Sequence, residues 1–162
     1  MLNRKRRGEL SELAFIYKAT GLGFNVCKPY GDSSRFDFVV EHRGRLSKVQ
    51  VKSTAQIFPT GGYYLNCQRR MKSKTLPYLP GEVDFFAAHV VPEDTWYIIP
   101  LSVIGAKYYV RFFPHIPARD RRFGPYREAW RLLECPSETQ GSALPGFLLS
   151  IDACADDQIH VA

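Results

Sequence analysis

One stretch constrains the fold of this chain more than any other: residues 35–53, RFDFVVEHRGRLSKVQVKS. Two segments with apolar residues at alternate positions flank the short polar step Arg43-Gly44. Side chains along a strand alternate between faces, so the pattern predicts a hairpin with one apolar face. A turn over Arg43-Gly44 sets His42 against Arg45, then Asp37 against Gln50 and Arg35 against Lys52. Directly opposed residues point the same way. Asp37, Gln50 and Lys52 therefore share one face, and Phe36, Phe38, Val40, Val49 and Val51 share the other. A slip of one residue in register would break up the polar cluster.

The hairpin lies in the basic part of the chain. Residues 1–75 hold 15 Lys or Arg against 5 Asp or Glu, residues 76–131 hold 7 against 6, and residues 132–162 hold none against 5. The net charge of +6 is thus made of +10, +1 and −5 in that order. Basic charge around a binding surface raises both affinity and encounter rate for a polyanion. Nucleic acid is the partner this distribution favours, ahead of an anionic membrane surface. No apolar run approaches the roughly 20 residues that span a bilayer. The start, MLNRKRRGEL, is basic but lacks the apolar stretch of a secretory signal. Cys27, Cys67, Cys135 and Cys154 form no CxxC pair, against both a zinc knuckle and a disulfide scaffold. A cytoplasmic location is the expectation, beside the nucleoid in a bacterium.

The 162 residues suit one domain with its own core. Residues 1–7 read as a mobile basic tail in which Arg4, Lys5, Arg6 and Arg7 are candidate phosphate contacts. Leu10, Leu13, Ala14 and Tyr17 recur at helical spacing and predict a helix over 8–20 with these residues facing the core. Glu12 lies off the centre of that stripe and by itself reads as a solvent-facing acid. Strands are predicted over 24–28, 63–67, 83–91, 95–100 and 107–113. The near-continuous apolar content of VDFFAAHVV and TWYIIP predicts a central place in the sheet for both. QRRMKSK, residues 68–74, reads as a loop whose Arg69, Arg70, Lys72 and Lys74 are candidate phosphate contacts. A basic loop over 115–125 and a short helix around 126–133 follow. Beyond residue 134 an acidic extension, packed on or trailing the domain, carries one apolar segment at 147–151.

The polar cluster has the residue types that phosphodiester hydrolysis needs: a divalent cation, an activated water and charge stabilisation at phosphorus. Magnesium takes hard oxygen ligands. Asp37 offers a carboxylate, Gln50 an amide oxygen and Val51 its backbone carbonyl. Lys52 is placed to orient or deprotonate the water, or to stabilise the anionic transition state. An Asp in a strand is more often structural and a Lys at a strand end more often solvated, so the order of the elements carries the reading.

That order, RGELSELAF, then PYGDSSRFDFVV, then LSKVQVKST, resembles the PD-(D/E)XK nuclease superfamily. Within it the chain is most similar to the group I intron-encoded homing endonucleases, whose motif takes Gln before x-Lys. The resemblance covers residues 7–54 well and continues loosely through the two apolar strands. It implies an α/β restriction-endonuclease-like core, a mixed sheet flanked by helices, over residues 1–134. It implies Glu12 as the helical acid, Asp37 as the metal ligand, and Gln50 and Lys52 as the motif pair. Metal ligation by Asp37, Gln50, Val51 and Glu12 and a requirement for Mg2+, or Mn2+ in its place, follow from the same likeness. So does hydrolysis of double-stranded DNA by a homodimer or homotetramer. Two departures stand out: no Pro precedes Asp37, and Gln50 replaces a carboxylate. The sequence-specific homing reading leads. A Holliday-junction or restriction-like nuclease, and a non-cleaving DNA-binding protein with this fold, are the alternatives.

Overall fold

The computed structural model describes residues 3–31, 33–71, 74–118 and 121–134. Lys72, Arg119 and the acidic extension over 135–162 lie outside the described residues. A long helix α1, Arg4–Gly21, is followed by β1, Asn25–Cys27, and by the hairpin of β2, Phe38–His42, and β3, Arg45–Thr54. Then come β4, Tyr63–Asn66, and the short strands β5, Arg69–Met71, and β6, Lys74–Leu76. β7, Phe85–Val90, β8, Thr95–Pro100, a helical turn α2, Leu101–Ile104, and β9, Tyr109–Phe112, complete the regular elements apart from short 3-10 turns.

The hairpin has the predicted register. His42 faces Arg45 and Phe38 faces Val49. Arg43 and Gly44 take φ of 50° and 83°, the left-handed pair of a two-residue turn that matches strand twist. The Glu41 side chain accepts the Gly44 N–H at 2.7 Å and closes this turn. β3 then pairs in parallel with β7, and β7 antiparallel with β8, giving the sheet order β1-β2-β3-β7-β8. This is the expected mixed sheet.

Both faces of the sheet are covered. On one face Phe38, Val40, Val49, Val51, Phe85, Ala87, Trp96 and Ile98 pack beneath Phe15 and Ala19 of α1 and beneath Trp130 and Leu133. Phe15 lies 5.4 Å from the Phe38 ring and within 5.8 Å of Trp96 and Trp130. Burial of such a side chain contributes about 1.5–3 kcal/mol. On the other face Phe86, Ala88, Val90, Tyr97 and Ile99 pack against a ribbon formed by β4 and β9. The alternation Phe85-in, Phe86-out explains why β7 is buried along its whole length.

Several expectations change. α1 begins at Arg4, capped by the Asn3 side chain on the Arg6 N–H, so Arg4 to Arg7 form a helical turn and not a loose tail. Its buried face is Ser11, Phe15 and Ala19, whereas Leu10, Leu13 and Tyr17 are exposed. The two small residues let the helix approach an aromatic surface that one phenylalanine fills. Ser11 is satisfied there by His89 Nδ1 at 3.0 Å, and His89 Nε2 lies 3.2 Å from Asp94. That Ser–His–Asp order is structural, because Ser11 is only 2% exposed and no substrate reaches it. Phe36 packs with the opposite core from Phe38, because the strand begins only at Phe38 and the chain bends before it. β5 and β6 pair antiparallel where a loop over 68–74 was expected. β8 is an edge strand of its sheet, but the backbone at 127–128 covers it through a bridge from Arg127 to Tyr97. The segment 126–133 holds the end of one 3-10 turn and the whole of another, Trp130–Leu133, in place of an α-helix. Among the described residues no helix is long and apolar enough to cross a membrane.

Candidate active site

The predicted polar cluster exists and sits on the β4–β9 side of the sheet. The Asp37 backbone still donates to Val49, so the ladder carries Asp37 opposite Gln50 even though β2 formally starts one residue later. Gln50 Nε2 donates to Asp37 Oδ2 at 2.5 Å, and Val51 N–H donates to the same oxygen at 2.8 Å. Gln50 Nε2 also lies 3.3 Å from the Val51 carbonyl oxygen. One NH2 group thus spans the two oxygens predicted as ligands, Asp37 Oδ2 and Val51 O. An electropositive group between converging oxygens occupies the kind of place a hard cation takes. The donor types therefore fit magnesium, with a 180° turn of the amide presenting the Gln50 oxygen instead. Among the described residues no group of three or more His, Cys, Asp or Glu could hold a metal. The candidate set depends instead on amide and carbonyl oxygens beside a single close carboxylate.

Burial raises the Asp37 carboxyl above its ordinary value, and the negative charge of Glu12 adds to this; the Val51 N–H, the Gln50 amide and Lys52 pull the other way. A carboxylate that is costly to ionise gains from a nearby cation.

Lys52, like Asp37, is half-buried. Its Nζ donates to the Gln68 carbonyl at 3.1 Å and lies 5.3 Å from the centre of the Tyr78 ring. Burial lowers its pKa, against the opposing pull of Asp37 and of Cys67. Cys67 is no rival nucleophile, since burial pushes its thiol up to about 12. Arg35, expected opposite Lys52, lies in the bend before β2, with Nε 3.9 Å from Glu82.

Glu12 is partly exposed and held by Lys28 at 3.0 Å. α1 brings it close enough to act electrostatically on Asp37 but leaves its carboxylate on a lysine. Of the basic candidates, Arg4, Lys5 and Arg6 are exposed and Arg7 is half-buried. Arg70 and Lys74 are exposed on the β5–β6 hairpin, which begins directly after the carbonyl that Lys52 holds. Arg69 differs: its side chain is 12% exposed and pairs with Glu82 at 3.2 Å.

Tyr78, Glu82, Gln68 and Lys28 were not foreseen. Tyr78 and Glu82 come from the irregular stretch between β6 and β7, where no periodicity marks a side chain's direction. The one available signal was the pair of prolines, Pro77 and Pro80, which stiffen the loop that carries Tyr78.

The chain belongs to the PD-(D/E)XK endonuclease family, whose pattern it matches over residues 2–133. It is a nuclease by that membership. A solved bacterial homing endonuclease, I-Ssp6803I, is 32% identical, with a TM-score of 0.70, over 82% of this chain and 93% of that one. MepB superposes less well, at 11% identity and a TM-score of 0.41 over 63% of this chain and 80% of that one. No curated protein matches the sequence.

Proposed function

We propose that this protein is a magnesium-dependent endodeoxyribonuclease of the homing type, acting on a specific sequence in double-stranded DNA, with Mn2+ able to replace Mg2+. The observation that carries the reading is the convergence of Asp37, Gln50 and the Val51 carbonyl beside a half-buried Lys52. The likeness to I-Ssp6803I supports the homing assignment. Asp37 would be the principal metal ligand, and the Gln50 amide oxygen and the Val51 carbonyl would complete the protein's share of the shell. Glu12, held by Lys28, would support the site as a nearby negative charge. The bound metal would polarise the scissile phosphate and lower the pKa of its water.

Lys52 orients the attacking water and takes up its proton. Its lowered pKa favours the neutral amine, and the Gln68 carbonyl and Tyr78 ring fix the position of Nζ. Arg4, Lys5, Arg6, Arg7, Arg70 and Lys74 supply backbone charge for DNA, with Arg69 steadying the hairpin through Glu82. Lys72 is assigned with them from sequence. One such site cuts one strand, so a double-strand break calls for a homodimer or homotetramer. The exposed Leu10, Leu13 and Tyr17 stripe offers such an assembly an apolar contact surface. Residues 1–134 form the nuclease domain in this reading, and it acts in the cytoplasm.

The test is cleavage of DNA flanking the gene's own locus, compared with shuffled DNA of equal length. A homing enzyme cuts the locus at one position and leaves the shuffled duplex intact. Equal cutting of both would remove the sequence-specific part of the proposal. Preferential cutting of four-way junctions would favour the resolvase reading.

A further inference from the structure

A cavity of about 330 Å³ lies beyond the C-terminal end of β3, walled by α1, β3, β4 and β9. Arg4 and Arg7 line it together with Ser53, Gln56, Asn66 and Tyr109. Among the described residues no carboxylate lines it. Arg7 is half-buried, and its Nε is buried with no hydrogen-bond partner among the described residues. A buried N–H without an acceptor is unfavourable, and more so when the group is charged. The helix adds a second conflict. Four consecutive cations, Arg4 to Arg7, occupy the first turn of α1, and no acidic residue shares that turn. Cations at a helix N-terminus oppose the helix dipole. Both costs are removed by one group, an anion with several acceptor oxygens.

We propose that this cavity seats a backbone phosphate of the DNA substrate, with the Arg7 Nε–H and the Arg4 guanidinium as donors. The inference rests on the nuclease reading and deepens it. Thr54, in the wall, lies two residues beyond Lys52 on the same face of β3, so the seat follows the reacting centre along the strand. A phosphate held there fixes the register of the DNA strand over Asp37 and Lys52. Tyr64 and Tyr109, with ring centres 4.5 Å apart, form another part of the wall. The seat is a positioning device that recognises phosphate and carries no base preference.

The experiment measures binding of a random-sequence DNA duplex against salt concentration for the full chain, for Arg4→Gln, for Arg7→Gln and for Arg131→Gln. Arg131 is an exposed cation outside the cavity. Loss of one phosphate contact makes the slope of log K against log salt shallower by about 0.9. Arg4→Gln and Arg7→Gln should each show a change approaching that size, with unchanged circular dichroism, while Arg131→Gln keeps the parent slope. Arg4 is exposed, so its variant folds even should Arg7→Gln not. In cleavage, both should raise KM and lower kcat, because the bound strand is less often in register with Asp37 and Lys52. An unchanged slope in Arg4→Gln and in a folded Arg7→Gln would overturn the seat, as would an equal change in Arg131→Gln. So would thermal stabilisation by inorganic phosphate that the arginine variants lose while DNA binding does not change, since the cavity would then serve a free anion. A parent chain that binds DNA with no salt dependence would instead overturn the nuclease reading itself.

Discussion

Asp37→Asn is expected to fold normally and to lose cleavage by well over a hundredfold. Removal of a single charge-stabilising group from an enzyme already costs about 10²–10³ in rate, and Asp37 is asked to hold the cation that supplies such stabilisation. The fold survives because Asn keeps an oxygen for the Val51 N–H, which is the tie between the bend at 37 and β3. Stability moves the other way from activity. Burial raises the Asp37 carboxyl, so the folded chain holds this proton more tightly than the unfolded chain does. The resulting contribution is complete below the ordinary value of 3.8 and is lost as pH rises through the folded-state value. Asn has no such loss. Without metal, the urea midpoint of the parent should therefore fall relative to Asp37→Asn as pH is raised from acid to neutral. Mg2+ should close that gap by binding the parent alone. A variant that cleaves like the parent, or a gap of the opposite sign, would contradict the role given to Asp37.

Lys52→Ala is the second large effect. A positioned acid or base contributes about 10²–10⁴ in rate, and cleavage should fall by that amount while Mg2+ still stabilises the variant. Lys52→Arg should not recover it. The guanidinium remains protonated and cannot take up the water's proton. Single-turnover rates across pH give the check. The parent rate rises with pH as Lys52 loses its proton, below the ordinary lysine range because burial lowers its pKa. Full activity in Lys52→Ala would remove Lys52 from the mechanism.

The candidate catalytic face was legible because its warrant is local. A two-residue turn at Arg43-Gly44 sets the register, and period-2 alternation then places Asp37, Gln50 and Lys52 together. Nothing more distant is needed for that argument. α1 shows the opposite case. Its stripe of Leu10, Leu13 and Tyr17 has true helical spacing, yet the helix turns Ser11, Phe15 and Ala19 inward. Which face packs depends on how closely the helix must approach Phe38, Trp96 and Trp130, and spacing along one element carries no such information. Phe36 failed for a related reason, because alternation holds only inside the strand and the strand begins after it. Asn3 at the start of α1 was a readable capping signal hidden by the cationic run that follows. The Tyr78 and Gln68 contacts to Lys52 come from segments without a period. Their approach to β3 is a consequence of the whole fold.

The account turns on one claim: that the Asp37, Gln50 and Lys52 cluster is a metal-dependent hydrolytic site. Nicking of supercoiled plasmid by the purified full chain tests it most directly, run with Mg2+, with Mn2+ and with EDTA, beside Asp37→Asn and Lys52→Ala at equal concentration. The account predicts nicked and then linear plasmid with either metal, and intact plasmid with EDTA or with either variant. Plasmid that the parent binds but never nicks with either metal, its native locus included, would contradict it and leave a DNA-binding protein on a nuclease fold.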